Sequence, residues 1–343
     1  MVVLGAGVAP ACRRAPRREE VLGALAREIL LAETLEIVAR SRGLAEACAK
    51  FAETPRPPEL NAARAEWRRA ATAWKRGCAF RSGPLVDTNA LARAAYWPIR
   101  APALEKLLSD TAPVTPGSLE ELGADVRGLY ALEYLLFDQE QGAKALERFS
   151  GPAAGRALSL ARAFAESVFS YAERAAAQFG ESGRTFAESF ARAGQVSVNQ
   201  LVAQMVESVE TLCESRLATV LWMDKVKRLS PGDVEGWASH TSHQLALSLL
   251  MGTERLYSGG RSGGLADIVE SAAPEIQRRV RARFEDAIAR VRGLGAPLEA
   301  VVRTDRQKLE AAIASVKSLE VGLKADLASA LGVTLTFTSA DGD

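Results

Sequence analysis

The chain of 343 residues has no excess of either charge, since 43 lysines and arginines face 42 aspartates and glutamates. This balance gives no indication of the basic surface that is typical of proteins that bind nucleic acids or anionic membranes. It also has no apolar run long enough to span a bilayer. A spanning helix needs roughly 20 apolar residues, and the longest uncharged apolar run here is the first eleven.

Cysteine and histidine are scarce. None of the four cysteines has C-x-x-C spacing, which argues against a zinc site, and they are too few for a disulfide framework. A Gly-rich phosphate loop and the G-x-S-x-G and H-E-x-x-H motifs are missing as well. Alanine, by contrast, contributes 62 residues, and 48% of the chain is apolar. This composition excludes a disordered chain and favours helix over sheet.

Apolar residues recur at helical spacing along nearly the whole chain after residue 18. The predicted helices cover about residues 19–51, 59–80, 118–138, 152–179, 195–228, 230–257, 265–292 and 297–331. We therefore predict an all-α protein with two antiparallel bundles of about four helices each. The bundles are predicted in residues 18–180 and 195–343, after an amino-terminal segment of residues 1–17. The similar helix counts suggest an internal duplication.

The amino terminus reads MVVLGAGVAPACRRAPRREE. A short apolar stretch followed by small residues is typical of a secretory signal. The placement of Cys12 after those small residues also resembles a bacterial lipoprotein cleavage site, at which Cys12 would be lipidated. The alternative is a frayed tail without a function, and the residues leave both interpretations open.

A turn-rich stretch within residues 74–100 separates two predicted helices. Segments of this kind often shape binding sites. Its polar or amphipathic candidates are Asp87, Trp97 and Arg100. An ordinary helix connection with a buried tryptophan would account for the same residues.

Tyr130 and Glu133 are three positions apart in the segment GLYALE, so a helix would place both on one face. They flank an apolar run. A carboxylate in that position needs a partner or a cavity, because burying it alone is costly. The alternative is a glutamate at the edge of the apolar stripe and a tyrosine in the core.

The only two histidines, His240 and His243, are also three positions apart, on a predicted helix. Two imidazoles at this spacing can bind one metal ion. Two solvated polar positions are the simpler alternative.

At GLYALEYLLFD the chain resembles the imelysin family of bacterial exported proteins, whose signature is G-x-H-x-x-E. The resemblance extends over nearly the whole chain. It includes a first conserved region, a W-P segment and a closing segment, which read here RAEWRRAATAWKRGCAFRSGPLVD, ARAAYWPIRAPALEKLL and ALGVTLTFTSADGD.

The resemblance implies two helical bundles with a cleft between them, lined by the G-x-H-x-x-E helix. It also implies a periplasmic or lipid-anchored location. Gly128 and Glu133 match the signature, but Tyr130 replaces its histidine. A neutral phenol is a poor metal ligand, although tyrosinate binds ferric iron. The replacement therefore weakens both a metal-binding and a peptidase function.

The residues and the resemblance together predict an exported, non-catalytic protein that binds a metal, in iron acquisition. Glu133 and Tyr130 would bind a divalent or ferric ion in the cleft, with an imidazole supplied by His240 or His243. Gly128, Asp87, Trp97 and Arg100 are predicted to shape the cleft. An envelope transport protein is a possible partner, and nucleic acid is not. One alternative is a structural or interaction protein of the envelope with a decayed site, and another is a metallopeptidase.

Overall fold

The computed structural model describes residues 17–81, 83–137, 145–151 and 153–335. Within these ranges the chain is helical, and its only β-type pairing is an isolated bridge between Gly260 and Gly263. The predicted all-α class is confirmed. None of the described helices combines the length and apolar character needed to span a bilayer. Cys12 and residues 336–343 of the closing segment lie outside the described residues.

The first half of the chain, up to residue 177, contains ten α-helices among the described residues. They are α1 (Arg18–Leu25), α2 (Ala32–Glu53), α3 (Pro57–Gly77), α4 (Pro84–Asp87), α5 (Ala90–Ala94), α6 (Ala101–Ser109), α7 (Pro116–Glu120), α8 (Gly128–Leu136), α9 (Ala145–Arg148) and α10 (Ala154–Ala177). A π-helical segment, Ala26–Leu31, joins α1 to α2.

The helices of the second half follow a short 3₁₀ turn at Glu181–Gly183. They are α11 (Arg184–Arg192), α12 (Gln195–Glu210), α13 (Thr219–Val226), α14 (Ser242–Ser258), α15 (Leu265–Ala272), α16 (Pro274–Gly293), α17 (Leu298–Thr304), α18 (Arg306–Gly322) and α19 (Ala328–Ala330). Two further π-helical segments, Thr211–Ala218 and Leu323–Leu327, connect α12 to α13 and α18 to α19.

The core of the first half lies among α2, α3, α8 and α10, with α2 packed against both α3 and α10. Helix α3 shows why these segments are amphipathic. Its residues Leu60, Ala63, Trp67, Ala70 and Trp74 recur every three or four positions, and all are buried. This stripe covers one side of the helix, so the helix is stable only when that side is packed against its neighbours.

The core of the second half lies among α12, α14, α16 and α18. Helix α1 and the π-helical segment that follows it also pack into this core, through Val21, Leu22, Leu25, Ile29 and Leu30. α1, the π-helical segment and α2 therefore form one continuous helix that contributes to both cores. Its α1 part packs into the core of the second half, and its α2 part packs into the core of the first half. The predicted boundaries of the two bundles, at residues 180 and 195, stay a prediction.

The two halves meet where α14 crosses the end of α3. Gly252 of α14 lies at this crossing. A Cβ atom there would come within 2.4 Å of the carbonyl oxygen of Arg76. The crossing therefore requires glycine, and it brings polar residues of the second half close to α3.

The predicted continuous helix over residues 118–138 is wrong. Helix α7 begins earlier, with Thr115 as its N-cap, and a 3₁₀ turn at Ala124–Val126 separates it from α8. Gly128 begins α8 with a φ of +77°, and a Cβ atom there would lie 2.6 Å from the carbonyl oxygen of Ala94. A right-handed helix cannot pass through this conformation, so Gly128 ends the irregular segment and starts a new helix.

The predicted helix over residues 230–257 is also wrong in its first half. Only Pro231–Asp233 forms a short 3₁₀ turn, and α14 does not start until Ser242. His240 lies between them with a φ of +55°, which is incompatible with a right-handed helix. The two histidines therefore do not form an i, i+3 pair on one helix.

Candidate functional site

Helix α8 is short, yet its position is closely determined by α3. The indole Nε1 of Trp67 donates to the carbonyl oxygen of Leu129 at 2.7 Å, and Nε of Arg64 donates to that of Leu136 at 2.7 Å. These bonds fix both the first and the last turn of α8. They place Tyr130 and Glu133, which are both buried, against the segment that precedes α14 in the second half.

Tyr130 belongs to a group of four side chains that we call the Glu235 cluster, consisting of Glu235, Lys75, Arg216 and Tyr130. Lys75 Nζ lies 2.7 Å from each carboxylate oxygen of Glu235, and Arg216 Nε lies 2.7 Å from Oε2. The hydroxyl of Tyr130 donates to Oε1. Glu235 is thus held by α3, by α8 and by the π-helical segment Thr211–Ala218.

The protonation states of the Glu235 cluster follow from its surroundings. Burial alone would raise the pKa of Glu235, but the charges of Lys75 and Arg216 outweigh burial and lower this pKa to about 2. Burial and the neighbouring Glu235 carboxylate raise the pKa of Tyr130 well above its usual value. At neutral pH the cluster therefore holds a neutral phenol, one carboxylate and two cations.

Glu133 lies one helical turn from Tyr130 but has different partners. Its Oε1 accepts hydrogen bonds from the backbone N–H of Ser239 at 3.0 Å and from the Ser239 hydroxyl at 2.6 Å. Burial, helped by the charges of Glu235 and Glu299, raises the pKa of Glu133 to about 7 in spite of the lowering effect of the Ser239 bonds. Glu133 therefore changes its charge near neutral pH.

The two histidines have separate partners in the second half. His240 is about half exposed, with Nδ1 3.4 Å from Glu299 Oε1. His243 is buried, and its Nε2 lies 2.8 Å from the carbonyl oxygen of Val291. A carbonyl only accepts hydrogen bonds, so Nε2 of His243 carries the proton and has no lone pair for a metal.

The residues predicted to shape the cleft are divided between the site and the surface. Trp97 lies under the guanidinium of Arg216, 4.6 Å from the ring centre. Asp87 is exposed at the end of α4, and Arg100 is exposed and pairs with Asp125 at 2.9 Å. Gly128 is buried against α5 and has the structural role described above.

A pocket of about 460 Å³ opens beside the Glu235 cluster, between the turn-rich segment after α3 and helix α12. Lys75, Arg216 and Glu235 line it, and so do Tyr96 and Trp97. Trp97 and Arg216 are in direct contact, so the aromatic and charged parts of the lining adjoin each other. Of the residues predicted to shape the cleft, Trp97 is among the described lining residues of this pocket, whereas Asp87 and Arg100 are not.

These side chains do not fit a directly bound metal ion. The ammonium of Lys75 and the guanidinium of Arg216 already neutralise the Glu235 carboxylate. The hydroxyl of Tyr130 donates a hydrogen bond to it and keeps its proton, and a neutral phenol is a poor metal ligand. A cation entering here would meet two fixed positive charges at close range. The geometry therefore does not bring Glu133, Tyr130 and an imidazole together around one ion.

Elsewhere in the described part of the chain, one group of potential ligands comes together, consisting of Cys213, Glu214 and Glu320. Lysine ammonium groups already neutralise its carboxylates. Lys317 Nζ lies 2.8 Å from Glu214, and Lys324 Nζ lies 2.7 Å from Glu320. This group is an ion-pair network between helices.

Sequence reasoning missed Lys75, Arg216, Glu235 and Ser239. Lys75 had a detectable signal, because it follows Ala71 by four positions and so lies on the buried stripe of α3. A lysine on such a stripe needs a buried partner. The other three lie in segments whose periodicity does not distinguish them.

The fold and this site define an all-helical protein with two cores and a charged pocket where its halves meet. The family model for Imelysin matches residues 35–323, so the chain belongs to the imelysin family, as its motifs indicated. A search of curated proteins finds no match.

Two solved structures share the fold. One is a protein provisionally described as an iron-regulated protein A precursor, from Parabacteroides distasonis. It has a TM-score of 0.78 and 16% identity, over 95% of this chain and 97% of that one. The other is an imelysin-like protein from Psychrobacter arcticum, with a TM-score of 0.78 and 16% identity, over 96% of this chain and all of that one. At this identity the likeness establishes the fold alone.

Proposed function

We propose that this chain is a non-catalytic binding protein of the bacterial cell envelope that takes part in iron handling. The pocket beside the Glu235 cluster is its ligand site. The observation that carries the proposal is this pocket of about 460 Å³, which is lined both by buried charges and by the aromatic rings of Tyr96 and Trp97. Pockets of this size with a few convergent polar groups are typical of small-ligand sites.

The link to iron is supported by a solved relative that is described as iron-regulated. Export is supported by the secretory and lipoprotein-like pattern around Cys12. In this proposal the pocket, rather than Glu133, Tyr130 and the histidines acting together, receives the ligand.

The chemistry of the site favours binding over peptide hydrolysis. Metal-assisted hydrolysis needs a metal ion with an open position and a general base beside its bound water. Glu133, the family carboxylate, is engaged by both the amide and the hydroxyl of Ser239. Tyr130 is committed to Glu235.

The proposal is tested by measuring iron retention. The full chain, purified without a polyhistidine tag, is incubated with ferric citrate or, anaerobically, with a ferrous salt. It is then passed through a gel-filtration column and analysed for iron by mass spectrometry. We expect near-stoichiometric iron in at least one form. Iron in neither form would contradict the role in iron handling.

Two tryptophan variants test whether iron is retained in this pocket. Trp97→Ala removes an aromatic wall of the pocket, whereas Trp222→Ala removes an exposed tryptophan on α13 that does not line it. We expect Trp97→Ala to lose iron and Trp222→Ala to keep it. Cleavage of an insulin chain that is blocked by a chelator and by Glu133→Gln would instead establish a peptidase.

A further inference from the structure

We infer that the pocket binds an organic carboxylate anion, either free or as the ligand shell of a metal chelate, which rests on the binding function proposed above. Within the described residues, the pocket is built to receive negative charge rather than a bare cation.

The charge of the pocket is the first reason. Among the described lining residues three are cationic and two are anionic, so the lining carries a net charge of +1. At the rim, Arg81 pairs with Glu207 at 3.0 Å, and both side chains are about half exposed. The excess therefore lies on the buried side, where Lys75 and Arg216 share one carboxylate. Charges in such poorly solvated positions attract an anion more strongly than surface charges do.

Unused hydrogen-bond donors are the second reason. Arg216 gives Nε to Glu235 and Nη1 to the carbonyl oxygen of Ser215, and its Nη2 makes no hydrogen bond within the described part of the chain. Lys75 has three N–H groups and directs two of them at Glu235. Both residues line the pocket, so each can donate to one entering carboxylate.

The apolar wall beside Arg216 is the third reason. Trp97 holds the Arg216 guanidinium against its ring face at 4.6 Å, which limits the positions the cation can adopt. Tyr96, Leu91 and Val86 extend this wall. An inorganic anion would leave that apolar surface in water. An organic acid would cover it with carbon while its carboxylate meets Lys75 and Arg216.

Isothermal titration calorimetry on the full chain tests this with four probes. They are citrate, ferric citrate, the uncharged trimethyl ester of citrate, and zinc or ferrous chloride. We expect citrate or ferric citrate to bind and the ester to bind at least tenfold more weakly, since a charge-assisted hydrogen bond contributes about that factor. Citrate binding alone identifies a free carboxylate, and ferric citrate binding alone identifies a chelate.

Variants locate the binding. Arg216→Gln reduces the charge of the pocket lining from +1 to zero, and we expect roughly tenfold weaker binding or more. Arg216→Lys keeps the charge and should lose less. Arg290→Gln is the matched control, because Arg290 is exposed on α16 and pairs with Asp286 outside the pocket. If Arg216→Gln does not fold, the comparison of citrate with its ester still decides the outcome.

Three results would overturn the inference. They are measurable binding of the ester with the affinity of citrate, binding of the chloride salts without binding of either citrate form, and equal affinity of folded Arg216→Gln and wild type. Binding of bare ferrous ion with no citrate binding would leave the role in iron handling intact. Binding of citrate with no retention of iron would support the carboxylate site and contradict the iron role.

Discussion

Two buried carboxylates, one from each half of the chain, differ sharply in their surroundings. Glu133 and Glu235 are equally buried, each with 6% of its surface exposed. Glu235 lies between two cations and has a pKa of about 2, whereas Glu133 is held by a serine and has a pKa of about 7. Burial raises both pKa values, so the neighbouring charges decide the difference. A carboxylate can be kept in a core either by pairing it or by letting it take up a proton.

The largest expected effect comes from unpairing Glu235. Lys75→Met removes the cation that contacts both carboxylate oxygens, and we expect a loss of about 3 kcal/mol in the free energy of unfolding, measured in urea at pH 7. The double variant Lys75→Met/Glu235→Gln removes both charges and should recover much of that loss. A single variant as stable as the wild type would show that Arg216 alone suffices.

The second prediction concerns the pH dependence of Glu133. Because its pKa is raised from 4.5 in the unfolded chain to about 7 in the fold, its contribution to stability is full below pH 4.5 and is lost as the pH rises through 7. Glu133→Gln cannot ionise. Relative to the wild type, its free energy of unfolding should increase by roughly 3 kcal/mol between pH 4.5 and pH 8.

Glu235 provides the opposite control for that measurement. Its pKa is lowered, so its contribution is present above pH 4.5 and is lost as the pH falls toward 2. Substituting Glu235 should therefore change the acid limb of the stability profile. If Glu133→Gln followed the wild-type profile from pH 4.5 to 8, Glu133 would be as well paired as Glu235, and the contrast would fail.

Ser239→Ala removes the hydroxyl that donates to Glu133. This bond stabilises the ionised carboxylate, so we expect a loss of about 1.5 kcal/mol at pH 8 and a smaller loss at pH 5, where Glu133 is protonated. Thermal unfolding at the two pH values measures the difference. An equal loss at both would assign the serine a role in its own turn, through Thr241, and not in charge stabilisation.

Tyr130→Phe should have the smallest effect. Glu235 keeps three contacts with Lys75 and Arg216 after the phenol is removed. We expect a loss of about 1 kcal/mol, with no change in the pH at which Glu133 titrates. The second quantity can be followed by carboxylate infrared spectroscopy, with Glu133→Gln identifying the band. A shift in that pH would mean that Tyr130 couples the two carboxylates.

The sequence predicted the fold better than it predicted the site. The sequence identified Tyr130 and Glu133 as neighbours on one helical face, and both do lie buried on α8. It missed their partners, since Glu235 is 105 residues from Tyr130 and Ser239 is 106 from Glu133. It placed His240 within the predicted helix over residues 230–257. His240 instead has a positive φ and directly follows Ser239, which bonds Glu133 of α8, and local spacing does not reveal this long-range contact.

The scarcity of histidine suggested that His240 or His243 replaces the imidazole lost at residue 130. The structure instead gives that region two cations, Lys75 and Arg216, whose types are common and whose positions drew no attention in the sequence. A rare residue is easy to notice, but burial and pairing determine which residues form a site.

The sequence by itself determined that the chain is helical, which faces of its helices are apolar, and that it belongs to the imelysin family. These properties depend on spacing within single segments and on motifs read in order. The tertiary structure alone decided which charges meet where the halves join. A charge is stable in a core only when a distant part of the chain brings it a counter-charge or a hydrogen-bond donor, and that depends on how the two halves pack.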